Sequence, residues 1–190
     1  MSRKITQAME NIKRICRIQR IDDRKLYKRA KILLTVYRDV CWSAAMRSSH
    51  LSDEMTYYCG GELDTAMIYL ETFAPEEEKE RFEERMGSLF ETKWMVELVE
   101  TAMFRVKDYP RNGSLYFEIL SKCYLTRFRY TESELLELLQ IERSTFYDRK
   151  KEAILVFGIS LWGGAIPNLK RFIEETKKEL HILPQEALCV

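Results

Sequence analysis

The sequence predicts an all-α fold: an N-terminal helical region followed by a C-terminal helix-turn-helix module. Three observations lead there. Apolar residues recur at three-to-four spacing through nearly every segment, whereas half-buried strands would alternate with period two. The 190 residues include 7 glycines and 4 prolines, few for a turn-rich all-β chain. Residues that favour helix starts (Asp, Thr, Pro) stand ahead of the apolar runs. A hydrophobic fraction of 46% beside 32% charged residues belongs to a chain that buries a core rather than a disordered one.

The first helix gathers Ile5, Met9, Ile12 and either Ile15 or Cys16 on one side, with Lys13, Arg14, Arg17 and Arg20 on the others. Asp22 and Asp23 suit the start of a second helix, because a carboxylate accepts an orphan N–H and favours the positive end of the dipole. That helix is expected to reach about Arg47, with the stripe Leu26, Ala30, Leu33, Leu34, Tyr37, Cys41 and Ala45. Ser48, Ser49 and His50, and then Gly60 and Gly61, break the pattern and leave a shorter helix over about 62–73. Pro75 followed by Glu76, Glu77 and Glu78 marks a new start. Its stripe of Phe82, Met86, Leu89, Phe90, Val96, Val99 and Met103 runs to about Lys107. Asp108, Tyr109, Pro110, Asn112 and Gly113 favour turns and place a domain boundary. Residues 1–108 are then the N-terminal region, for packing, dimerisation or partner contact. Residues 109–165 form the helix-turn-helix module, and 166–190 a C-terminal helix and tail.

The formal net charge of +1 conceals three blocks. Residues 1–40 hold 12 Lys+Arg and 4 Asp+Glu, a net of +8; residues 41–102 hold 5 and 14, a net of −9. Residues 103–190 hold 14 and 12, a net of +2. Such blocks point to separate surfaces, or to opposite charges that meet by packing. The basic N-terminal helix therefore has three readings: a clamp on the DNA backbone, packing on the acidic helix that starts at Pro75, or a membrane surface. The first two are preferred.

Five cysteines, Cys16, Cys41, Cys59, Cys123 and Cys189, have none of the close spacings of a zinc or redox motif. Only His50 and His181 could supplement them, so no metal site is expected. The N-terminus lacks an apolar signal core, and no window is read as a membrane span of roughly 18 apolar residues. A reduced, cytoplasmic, soluble protein is expected. Neither a nucleophile elbow nor a phosphate-cradling loop occurs. The chain is not expected to be an enzyme or to take a cofactor. Trp42, Trp94 and Trp162 have apolar neighbours and read as core or interface anchors.

Three helices are visible from Ser114 onward. The first covers about Leu115–Leu125, with Leu115, Ile119, Leu120, Cys123 and Tyr124 on its apolar side. The second starts at Thr131, where Glu134 three residues later makes a capping box, and continues through Leu135, Leu136, Leu138 and Leu139. After Gln140, Ile141 and Glu142 the third begins near Arg143 and runs through Phe146, Ala153, Ile154 and Phe157 to about Leu161. A short helix, a tight turn holding an apolar residue and a longer helix make a helix-turn-helix arrangement. Ile141, Phe146, Leu135 and Leu139 are expected to pin it. The start of the third helix would then show Arg143, Ser144, Thr145, Tyr147 and Asp148, and its later turns Arg149, Lys150 and Lys151. Residues 143–151 carry four cations and one Asp, a net of +3, enough to seat a helix against phosphates. Arg pairs bidentately with guanine, and Ser and Thr reach bases or phosphates.

The tract LLELLQIERSTFYDRKKEAI resembles the region-four helix-turn-helix of sigma factors and, more closely, phage-type transcriptional regulators of the ArpU/RinA class. The resemblance covers roughly residues 105–162 and does not extend into the first hundred. It rests on Tyr124 and Leu125, on Ser133 to Leu139, and on Arg143 to Lys151 with Ala153. It implies that Arg143, Ser144, Thr145, Tyr147, Lys150 and Lys151 face double-stranded DNA. One departure stands: many such modules start the recognition helix with Ser or Thr, whereas Glu142 holds that position here. A carboxylate there can cap the helix but repels a nearby phosphate, which bears on the docking angle.

The expected function is that of a sequence-specific DNA-binding transcriptional regulator. The helix from about Arg143 would enter the major groove, and the N-terminal helices would supply homo-oligomer contacts or meet RNA polymerase. Two alternatives are carried. One is a small alternative sigma factor, with residues 20–106 as the promoter-melting part. The other is a protein–protein adaptor whose helix-turn-helix fold does not bind DNA.

Overall fold

A computed structural model describes residues 6–45 and 93–182, and among them every regular element is helical. The all-α class predicted from the spacing is the one adopted. The order is α1 (Gln7–Ile18), α2 (Asp23–Ala45), α3 (Lys93–Lys107), α4 (Gly113–Leu120), α5 (Glu132–Leu139), α6 (Arg143–Ser160) and α7 (Ile166–Ile182). A π-helical turn, Ser121–Leu125, extends α4, and a second, Leu161–Ala165, joins α6 to α7. Ile5, Arg47, the breaks at 48–50 and 60–61, the helix expected over 62–73, the start at Pro75 and the stripe from Phe82 to Phe90 lie outside the described residues.

Local chemistry sets the helix ends. Thr6 caps α1 by accepting the Met9 N–H at 3.1 Å. Asp22, rather than Asp23, caps α2: its Oδ1 accepts the N–H groups of Arg24 at 2.9 Å and Lys25 at 3.0 Å. Those bonds hold its carboxyl below the ordinary value, the Lys25 N–H contributing most. Between α1 and α2, Arg20 takes a left-handed conformation with φ 57°. The Ile21 N–H then reaches back to the Cys16 carbonyl at 2.9 Å, which closes a Schellman turn.

One core runs through both parts of the sequence. It joins Met9, Ile12 and Cys16 of α1, Leu26, Ala30, Leu33 and Leu34 of α2, and Met95, Val99, Ala102 and Val106 of α3. Tyr116 and Leu120 of α4, Ala153 to Phe157 of α6, and Leu161, Ala165 and Ile166 complete it. The turn at 108–112 is present, but the core continues across it, so the residues on either side of 108 are not separately cored. Only four positions of α6 were expected to be apolar and inward; in fact Glu152 through Gly158 are buried consecutively. A helix buried all round is a central helix, and α6 is flanked by α1, α2, α3 and α4. Gly158 is where α2 comes closest: a Cβ there would stand 2.8 Å from Leu26 Cγ.

The continuous stretch Arg143–Glu175 is long and apolar enough to span a bilayer by length and composition, contrary to the expectation that no window would be. Its most apolar window is 67% buried inside the protein. Arg38, counted with the basic N-terminal block, points inward. Its Nη2 donates to the carbonyls of Cys123 at 2.8 Å and Lys122 at 3.4 Å, and so holds the π-helical end of α4 against α2.

Candidate nucleic-acid interface

The α5–turn–α6 unit is built from short-range signals. Thr131 and Glu134 form the expected capping box: Glu134 N–H to Thr131 Oγ1 at 3.3 Å, and Thr131 N–H to Glu134 Oε2 at 2.6 Å. The second of these bonds lowers the Glu134 pKa. At its other end α5 stops in a Schellman turn. Gln140 is left-handed with φ 51°, its N–H meets the Glu137 carbonyl at 3.2 Å, and the Ile141 N–H meets the Leu136 carbonyl at 3.3 Å. The turn drives Ile141 back toward Leu136, and both pack on a small cluster made by Ile119 of α4, Leu135 of α5 and Phe146 of α6. Leu139 packs there too, so the four residues expected to pin the two helices lie in one cluster. Leu138, read as part of the same apolar run, is 52% exposed.

Glu142 stands at the N-cap of α6 in an extended conformation, and its side chain makes no capping bond. The cap that Ser or Thr would supply is thus not replaced by the Glu142 side chain, at the position where the sequence departs from the resembled pattern.

Seven residues were expected to form the reading face, and they fall into two groups. Arg143, Ser144, Tyr147 and Lys151 are exposed, and Thr145 beside them is half-buried. Arg149 and Lys150 are turned toward the protein. Arg149 Nη1 lies 2.6 Å from Glu152 Oε2, and Lys150 Nζ sits 5.0 Å from the centre of the Tyr124 ring and 5.6 Å from that of Phe146. Burial works against the charge of Arg149, but the hydrogen bond and field of Glu152 outweigh it and raise its pKa.

Two carboxylates that the sequence reading did not assign to the site organise it. Glu132, in the first turn of α5, receives Arg143 Nε at 2.5 Å and the Tyr147 hydroxyl at 2.7 Å. Glu152 is fully buried and accepts from Thr6 Oγ1, from the Tyr116 hydroxyl at 2.8 Å and from Arg149. Burial, with Glu152 as a further contributor, pushes the Tyr116 phenol up to about 12. The net of +3 counted over 143–151 is thus partly answered by Glu132 of α5 and by Glu152, the residue that follows the counted stretch on α6. Glu134 was visible through its capping spacing, but no sequence spacing links Glu132 to Tyr147, fifteen residues away. Among the described residues, no group of three or more His, Cys, Asp or Glu is placed to hold a metal ion.

No protein-family model, curated protein or solved structure matches the chain.

Proposed function

We propose that this chain is a sequence-specific DNA-binding transcriptional regulator in which the first turns of α6 enter the major groove. The observation that carries the reading is the α5–turn–α6 unit, tied by a capping box, a Schellman turn and a shared apolar cluster, with Arg143, Ser144, Tyr147 and Lys151 outward at the start of α6. In this reading Arg143 addresses a base edge, Ser144 and Tyr147 reach bases or phosphates, and Lys151 holds a phosphate. Arg149 and Lys150 act within the protein instead. The resemblance to phage regulators of the ArpU/RinA class and to sigma-factor region four agrees with this reading.

A second reading, a protein–protein adaptor, draws on a different observation. Arg143 and Arg149 already have carboxylate partners, and Leu138 and Phe128 are 52% and 70% exposed. Selection of bound sequences from a random duplex pool, followed by affinity measurement across salt concentrations, separates the two. A DNA reader enriches a defined sequence, often with half-site symmetry, and its affinity falls steeply with salt. An adaptor enriches none.

A further inference from the structure

Two of the outward residues, Arg143 and Tyr147, share one carboxylate. Glu132 lies on α5 while they lie one helical turn apart on α6, so a single side chain spans the gap between the helices at the mouth of the unit. The Arg143 side chain is 71% exposed and that of Glu132 36%, so the pair stands at the surface where a duplex would arrive. Exposed ion pairs add little to stability, which leaves orientation as the larger effect of this one. A free arginine on a helix surface samples many rotamers. Held at Nε, its guanidinium plane has a fixed direction, and an end-on pair with a guanine edge uses the two terminal nitrogens instead.

We propose that Glu132 is a specificity-determining positioning residue, which fixes Arg143 and Tyr147 for base reading and disfavours phosphate-only contact at the same place. The inference rests on the DNA-reading function proposed above. Its physical basis is twofold. Fixing side chains before binding removes an ordering cost that only the correct base edge would otherwise repay. A carboxylate beside the groove also repels phosphates, so a pose in which Arg143 swings onto the backbone is disfavoured.

The test compares the full chain with Glu132→Gln, Glu132→Asp and Glu137→Gln on a selected duplex and on a scrambled duplex of equal length, with thermal melts to establish that each is folded. Glu132→Gln removes the charge, whereas Glu132→Asp keeps it and shortens its reach. Glu137→Gln removes a charge from an exposed position of the same helix. The preference for the selected duplex should fall about tenfold in both Glu132 variants, with scrambled-duplex affinity unchanged or higher in Glu132→Gln, and should persist in Glu137→Gln. Unaltered preference in the Glu132 variants overturns the positioning role while leaving the DNA-reading function in place. An equal fall in Glu137→Gln overturns it as well, since net charge would then be the cause. Absence of any preference in the unmodified chain overturns the DNA-reading function and this inference together.

Discussion

The hydroxyl of Tyr116 on α4 donates to Oε2 of Glu152 on α6 at 2.8 Å, and neither side chain is exposed to solvent. The same carboxylate accepts from Thr6, whose hydroxyl oxygen also caps α1, and from Arg149 one turn back on α6. A buried carboxylate is costly unless its lone pairs are occupied. Here three donors from α4, α6 and the start of α1 occupy them, so the position of α1 is tied to that of the central helix.

In the proposed reading, Arg149 therefore serves stability rather than DNA contact. Arg149→Met should lower unfolding free energy by about 2–4 kcal/mol, somewhat less than breaking a wholly buried pair because the arginine is partly solvated. Tyr116→Phe should cost about 1.5–3 kcal/mol, the range for a hydrogen bond to a charged group. Denaturant titration measures both. Under conditions where Arg149→Met is folded, its duplex affinity should match that of the unmodified chain. A stable variant with weakened DNA binding would return Arg149 to the reading face.

Stability should fall on the alkaline side. Burial raises Cys16 from 9.0 to about 11 and Tyr116 from 10.0 to about 12, and it raises Tyr124 as well. The folded state then keeps protons that the unfolded chain releases, so unfolding is favoured as pH climbs from about 9 to 12. The contribution of these groups is fully present below pH 9 and is lost through that window. Melting temperatures between pH 8 and 11 should decline, and Tyr116→Phe should flatten the upper part of the decline. A melting temperature independent of pH over that range would contradict the protonated, buried state of these groups.

Those buried groups also show which parts of the fold were legible in the sequence. Three-to-four spacing placed Met9, Ile12, Leu26, Leu33 and Val99 inward because each of their helices has one wet side. The same reasoning under-read α6, where Leu155 and Val156 are buried along with the expected face, because a helix packed from several directions carries no stripe to detect. The capping box at Thr131 was legible since both partners lie within one turn. Glu132 with Arg143 and Tyr147, and Glu152 with Tyr116 and Thr6, are long-range pairs with no periodic signature. Counting charge over residues 143–151 alone consequently overstated the open positive face.

Two backbone positions predict opposite outcomes from changes involving glycine. At Gly113, the first residue of α4, a Cβ would stand 2.8 Å from the carbonyl oxygen of Val106 and nearer still to that of Lys107. Ala is normally the better helix former, yet Gly113→Ala should destabilise by roughly 1–3 kcal/mol because backbone must move. At Gln140, φ is 51°, where a side chain is strained. Gln140→Gly should stabilise by about 0.5–1 kcal/mol after the added entropy of the unfolded chain is deducted. Urea titration resolves both signs. Stabilisation by Gly113→Ala would mean that α3 and α4 do not meet as closely as described.

Arg143 and Lys151 are exposed at opposite ends of the first turns of α6 and should separate base reading from backbone contact. Arg143→Ala should weaken binding to the preferred duplex by about 1–3 kcal/mol, with little change on a scrambled one, so that sequence preference shrinks. Lys151→Ala should weaken both duplexes alike and make the slope of log affinity against log salt shallower by about one phosphate contact. Titrations of each duplex at several salt concentrations give all four quantities. The contrast between the variants carries the information, since a helix held only by phosphates would respond to both substitutions in the manner expected for Lys151. If neither substitution alters affinity for either duplex, the start of α6 is not the DNA-facing surface, and the exposed Leu138 and Phe128 become the surface to probe for a protein partner.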